Sequence, residues 1–177
     1  MSADPEALFV PTALVTGASR GIGAAIARRL AKSGARVALL ARSAEQLHAL
    51  TEEIGGNAIA LPCDVRDSAM LARTIAALTE DIGGAPDIIV NNAGAFFLAN
   101  TEETSVDAFA ETLSVNLTAP FAVVRALLPI MREANAGHIV TIGSVADRMT
   151  FPGNAAYAAS KFGLRALHEV MRSELRG

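Results

Sequence analysis

The sequence predicts an α/β fold, a doubly wound parallel sheet with helices on both faces. Short apolar runs alternate with longer helical stretches along most of the chain. Those runs lack the strict polar alternation of half-exposed strands, and a glycine-rich turn, "TGASRGIG", joins the first run to the first helical stretch. Strands buried on both faces read as continuous apolar runs. Strand–helix–strand units repeated in order build a parallel sheet with right-handed crossovers.

The runs are Ala13–Val15, Val37–Leu40, Ala58–Leu61, Ile88–Val90 and His138–Ile142. Between and after them lie helical stretches at Ile22–Lys32, Glu45–Ile54, Ala69–Ile82, Val106–Arg132 and Ala155–Leu175, the fourth expected to break or bend near Asn116–Pro120. Their ends carry the expected signals. "SAEQ" at Ser43–Gln46 has the pattern of a capping box, Asp67 or Ser68 can cap the next helix, and Thr104 or Ser105 the one after. Gly34, Gly55 and Gly83 fall where helices should stop. No repeat, linker or low-complexity segment divides the chain, so residues 1–177 are expected to form one domain.

Composition excludes several classes of function. The chain has 177 residues, 51% hydrophobic and 19% charged, with a net charge of −3. That composition is globular and not disordered. No basic stripe suggests nucleic acid as a partner. Cys63 is the only cysteine, so no internal disulfide can form, which fits a reducing compartment. The start, "MSADPEALFVP", has no basic leader region, and no window has the roughly 18 uninterrupted apolar residues of a membrane span. A soluble, cytoplasmic protein without a membrane partner is expected.

The glycine turn sets the first functional expectation. Strand, glycine-rich turn, helix is the phosphate-binding geometry of a Rossmann-type dinucleotide fold. Gly17 allows the sharp turn, Gly21 leaves room for a pyrophosphate, and Gly23 lets the helix pack against the sheet. Free N–H groups at the helix start hold the anion. An ordinary strand–helix turn that happens to contain glycines would look the same. The spacing, however, is Gly-x-x-x-Gly-x-Gly, and here the sequence resembles the short-chain dehydrogenase/reductase family.

Cofactor choice follows from the second run, which ends "VALLARS". Ala41 and Arg42 stand where an NAD-selective fold places a carboxylate. Arg42 and Arg20 could instead pair with a 2′-phosphate through charge-assisted forks, or be solvated surface charges. NADP(H) is therefore expected over NAD(H). The resemblance adds Ser19 and Ile22 within the glycine turn, then Asp64 with Val65 beside the adenine. It also adds Asn92, Ala93 and Gly94 of "NNAG" (Asn91–Gly94) near the ribose. Read without it, Asp64 is a helix cap and "NNAG" a turn that ties the sheet together.

"NAAYAASKFGLRALHEVM" carries the expected chemistry. Tyr157, the only tyrosine, and Lys161 are four apart on a predicted helix and share a face. A nearby ammonium favours the phenolate and brings a phenol, with an ordinary pKa of about 10, toward the working range of a general acid or base. A half-buried tyrosine beside a snorkelling lysine would give the same pattern. In the family that the sequence resembles, Asn116, Ser144, Tyr157 and Lys161 match a catalytic tetrad, and Tyr157 and Lys161 also contact the cofactor. The resemblance implies these roles: Ser144 donates a hydrogen bond to the substrate oxygen, Tyr157 transfers the proton, Lys161 tunes Tyr157 and holds the ribose, and Asn116 holds a relay water.

Other chemistries find little support. His48, His138 and His168 have no partner at metal-ligand spacing, so no metal site is expected. "GSVAD" lacks the second glycine of a nucleophile elbow. Phe96, Phe97, Leu98, Met149 and Phe151 suit an apolar substrate cleft or the core.

The family pattern continues past "RSELRG" with a sixth strand, a lid and a seventh strand, which this sequence lacks. The fold is thus expected to miss its final strands and leave the "HIVTIG" strand as an apolar edge. Further residues covering that edge are the favoured account. A truncated protein or strands from a partner chain are the others. The expected activity is hydride transfer between NADP(H) and a carbonyl or alcohol substrate, with a general character similar to 3-oxoacyl-carrier-protein reductases. The alternatives are a cofactor-binding but inactive family member with an interaction role, and a nucleotide- or flavin-binding domain of unrelated chemistry. The resemblance also implies a homodimer or homotetramer through helices near Asn116–Glu133 and Ala155–Arg176, where Phe121, Val124, Leu127, Leu128 and Met131 are apolar on more than one face.

Overall fold

The structure, a computed structural model, describes residues 10–175. The first nine residues, Arg176, the far bound of the expected contact helix, and Gly177 lie outside them. Five strands form one sheet: β1 (Thr12–Thr16), β2 (Arg36–Ala41), β3 (Ala58–Pro62), β4 (Ile88–Asn91) and β5 (His138–Thr141). Every pairing is parallel and the order is β3-β2-β1-β4-β5. The chain therefore leaves β3 at one edge and crosses back past β1 to build β4. The connections after β1 and β4 diverge from there, which opens a crevice at the carboxyl ends of those strands.

Helices cover both faces. α1 (Gly21–Lys32) and α2 (Ala44–Ile54) pack on one side, where Ala24, Ala27, Leu47 and Leu50 meet Ala13, Val15, Val37 and Leu39. α3 (Ser68–Ile82) and α5 (Ala119–Ala134) cover the other, with Leu71, Ile75, Val123 and Leu127 against Leu14, Leu40 and Ile89. Alternate side chains of each strand thus feed two separate cores, as the continuous apolar runs require. The caps resolve the open choices. Ser43 accepts from the Gln46 N–H, Asp67 from Met70, and Ser105 from Ala108. Gly55 and Gly83 end their helices at φ of 85° and 72°.

The expected break near Asn116–Pro120 is a change of winding. α4 (Val106–Leu113) runs into a π turn (Ser114–Thr118) and directly on into α5. Pro120 has no N–H to give the Asn116 carbonyl, so the ordinary i→i−4 bond is impossible there. Joined this way, Val106–Ala134 is a continuous helix of 29 residues, long and apolar enough by length and composition to cross a membrane. In this fold its buried residues Val123, Leu127 and Met131 form part of the layer on the sheet.

α6 (Ala155–Glu174) follows β5 and a short 3-10 turn (Val145–Asp147). Among the described residues nothing pairs with the outer edge of β5, and Val140 there is 44% exposed.

Candidate functional site

The glycine turn forms by close backbone approach. Gly17 has φ 65°, and a Cβ there would stand 2.8 Å from the Ala93 Cα. A Cβ on Gly23 would run into the Gly17 carbonyl and the Asn92 amide, so α1 can start this close to β1 only as glycine. Gly21 has φ 57° and faces open space. Arg20 occupies the N-cap of α1 without a side-chain cap, and the first turn holds no acidic residue. The first-turn N–H groups are thus uncapped by any side chain.

In front of them lies a cleft of about 710 Å³. Its walls include Gly17, Ser19, Arg20, Gly21, Ile22 and Gly23 of the turn, Arg42 after β2, Asp64 and Val65 after β3, and Asn92, Ala93 and Gly94 after β4. The proposed cofactor residues other than Tyr157 and Lys161 therefore share one cavity. Thr16 and Asn92 hold its floor. The Thr16 hydroxyl accepts the N–H groups of Asn92 and Ala93, each at 3.0 Å, while Asn92 Nδ2 donates to the carbonyls of Thr16 and Gly17. Asn91, only 3% exposed, has no partner for its amide atoms among the described residues.

The cleft's charges are sorted in an order that the sequence reading missed. Arg66 clasps Asp64 with its Nε and Nη2, donates its own backbone N–H to Asp64 Oδ1, and reaches Glu111 on α4 with Nη1. The Arg66 guanidinium holds the Asp64 carboxyl below the usual carboxylate range, against the opposing effect of burial. Asp64 and Glu111, the carboxylates lining the cleft, are both paired. Arg20 and Arg42 are exposed on its rim with no salt bridge among the described residues.

The cleft stops short of the chemistry-bearing residues, which begin one step further along the β4 loop. Asn116, fully buried, accepts the Ala95 N–H at 2.7 Å and donates back to the Ala95 carbonyl at 2.9 Å. Its Nδ2 also donates to Ser160 Oγ at 2.9 Å, and that hydroxyl donates to the Tyr157 carbonyl at 2.7 Å. Both amide hydrogens of Asn116 are thereby committed within the protein, so its side chain clamps the loop. Phe96, next to Ala95, sets its ring edge-on to that of Tyr157 at 4.8 Å between centroids and 80° between planes.

Tyr157 and Lys161 do share a face of α6, with Lys161 Nζ 5.7 Å from the Tyr157 ring centroid. Lys161 is 6% exposed and donates to the Ile142 carbonyl at 3.0 Å. Burial pushes its ammonium below the ordinary lysine value, and the charge of Asp147 opposes that shift. Ser144 begins the 3-10 turn after β5. Its hydroxyl accepts the Ala146 N–H at 3.1 Å, which leaves its own hydrogen free to donate elsewhere. Ser160, Arg66, Glu111 and Asp147 were not singled out from the sequence. Each is an ordinary residue type whose partners lie on other elements, apart from the short local contacts of Arg66 and Asp147. A separate groove of about 650 Å³, between the ends of α5 and α6, lies away from all of them.

A parallel sheet with a glycine turn at its switch point defines a Rossmann-like nucleotide-binding architecture. Comparison with known proteins sharpens that class. The sequence profile of the short chain dehydrogenase family matches residues 11–177, and the chain belongs to that family. A D-threitol dehydrogenase from Mycolicibacterium smegmatis is 40% identical over 168 residues, covering 93% of this chain and 64% of that protein. A short-chain dehydrogenase structure from Streptomyces avermitilis superposes with a TM-score of 0.92 at 34% identity, covering 96% of this chain and 62% of that one. A metagenomic short-chain oxidoreductase in complex with NADP gives 0.90 at 41% identity, covering 94% and 76%. The chain thus spans somewhat under two thirds of the dehydrogenase it matches in sequence.

Proposed function

We propose that this chain is the cofactor-binding and catalytic part of an oxidoreductase that moves hydride between NADP(H) and a carbonyl or alcohol. The observation that carries this reading is the placement of Tyr157 and Lys161 on one helical face, tied through Phe96, Asn116 and Ser160 to the loop that lines the glycine cleft.

The residues present fit a dinucleotide. The open space in front of Gly21 and the uncapped first turn of α1 suit a pyrophosphate. The unpaired Arg20 and Arg42 suit a 2′-phosphate, while Arg66 neutralises the nearby carboxylates that would repel it. The NADP complex of the metagenomic relative supports the same choice. When bound, the nicotinamide supplies or accepts the hydride.

This chain's own groups handle the proton and the geometry. The Tyr157 hydroxyl gives its proton to the substrate oxygen in reduction and takes it back in oxidation. The Ser144 hydroxyl donates to that oxygen as negative charge builds on it. Lys161, fixed by the Ile142 carbonyl, presents positive charge to the phenol and a donor to the ribose. Asn116 keeps Ala95 and Phe96 in place around Tyr157. Exposed Phe96, Leu98 and Met149 give the substrate side an apolar character. A soluble cytoplasmic homodimer or homotetramer completes the reading, with Phe121 on α5 and Phe162 on α6 exposed as contact residues.

The test is NADPH oxidation against a panel of ketones and 3-oxoacyl thioesters. Turnover that falls at least about a hundredfold in Tyr157→Phe, with NADPH binding retained, supports the assignment. Tight NADPH binding with no turnover of any ketone points to the second reading, an inactive cofactor-binding family member.

A further inference from the structure

The buried carboxylate of Asp147 has no part in the chemistry above, although it sits beside it. It is 6% exposed, at the end of the 3-10 turn that begins with Ser144. Its Oδ2 accepts the Ser144 N–H at 3.5 Å, closing a capping box with the Ser144 hydroxyl. The same oxygen is tucked against Gly143, where a Cβ would come within 3.0 Å of it. Gly143 directly follows Ile142, whose carbonyl holds Lys161. Asp147 and Lys161 therefore flank one short segment, Ile142–Gly143.

We propose that Asp147 is a positioning residue, whose carboxylate orients the Ser144 turn and whose charge keeps Lys161 an ammonium beside Tyr157. The proposal rests on the oxidoreductase reading for its consequence, but its physical content, the action of one charge on another across Ile142–Gly143, needs neither cofactor nor substrate. A lysine buried this deeply loses its proton more readily unless an opposite charge is near. Among the described residues, Asp147 is the charged group that acts on Lys161. The titratable Tyr157, its ring centroid 5.7 Å from the Lys161 Nζ, faces the ammonium from the same helix.

Asp147 has cationic neighbours of its own. Arg148 donates to its Oδ1 at 2.8 Å but is 68% exposed, so solvent screens it. Arg165 also acts on it, and is itself paired with Glu169 at 2.8 Å. Arg148, then the Ser144 N–H and the more distant Arg165, hold the Asp147 carboxyl below the usual range against the opposing effect of burial, so it stays charged wherever Lys161 titrates.

The lysines of this chain are Lys32 and Lys161, which makes the proposal directly measurable. In protein labelled with ¹³C at lysine Cε, Lys161 is followed by NMR against pH, and Lys32→Arg assigns the signal. Asp147→Asn keeps an oxygen for the Ser144 N–H and removes only the charge. The Lys161 midpoint is expected to fall by about one pH unit in that variant. In Asp147→Glu, which restores the charge, it stays close to the native value. A midpoint that is unchanged or higher in Asp147→Asn overturns the proposal. Asp147→Ser serves in the same titration should the Asp147→Asn chain not fold. A native protein that oxidises no NADPH with any ketone would overturn the oxidoreductase reading instead, and leaves this titration intact.

Discussion

Asn116 grips Ala95 from both sides, accepting its N–H and donating to its carbonyl, across 21 residues of sequence. The same amide reaches Ser160 on α6, so one side chain joins the β4 loop, the π turn and the helix that carries Tyr157. The position of the phenol relative to the cleft depends on this junction.

Asn116→Ala should therefore cost stability and activity together. It leaves the Ala95 N–H and carbonyl without partners at a partly buried site, a loss of about 1–3 kcal/mol. Urea unfolding measures the stability. The loss in kcat should exceed the rise in KM, because the loop moves relative to Tyr157 while the cleft walls stay. An Asn116→Ala protein of native stability would show the junction to be incidental.

Two glycines in one turn should fail in different ways. Gly23→Ala drives a methyl group into the Gly17 carbonyl and the Asn92 amide, so it should disrupt the turn and lower thermal stability markedly. Gly21→Ala meets no atom but forces alanine to φ 57°, a strain of about 1 kcal/mol. Its larger effect should be on NADPH affinity, since the methyl group occupies the space offered to the pyrophosphate. Comparing melting temperature with NADPH titration separates the two.

The arginines on the rim should control cofactor choice. Arg42→Ala and Arg20→Ala should each weaken NADPH binding by about tenfold and leave NADH nearly untouched, as expected for loss of one charge-assisted contact. The ratio of kcat/KM for the two cofactors reads this directly. Equal losses for both cofactors would mean that these arginines do not meet a 2′-phosphate.

The Asp64–Arg66 pair should give the fold a component of acid sensitivity. Because Arg66 depresses the folded-state carboxyl, the pair's contribution is fully present above the unfolded value of about 4. It is lost as pH falls from there through the lower folded-state value. Arg66→Ala should therefore destabilise the protein at neutral pH by more than it does near pH 2–3. Both groups are partly exposed, so the effect is small and should shrink further in high salt. Urea midpoints at two pH values and two salt concentrations test it.

Much of this protein could be read from local pattern. The apolar runs place five strands to within a residue or two, and the glycine spacing marks the turn that lines the cleft. Caps such as Asp67 and Ser105 act over three residues, so composition at a helix start reveals them. The pairing of Tyr157 with Lys161 was legible for the same reason: four residues on a helix is one turn.

Long-range meetings were another matter. Nothing near Asn116 in the chain tells that its amide will close on Ala95 and Ser160. Arg66 finds Glu111 45 residues away, and Asp147 and Lys161 meet the same Ile142–Gly143 segment because the 3-10 turn packs onto α6. The sequence by itself determined the sheet, the glycine turn and the helical face of the chemistry, because period, cap and turn signals act between near neighbours. Only the tertiary structure decided which buried polar groups satisfy one another, because that depends on how separate elements pack in three dimensions.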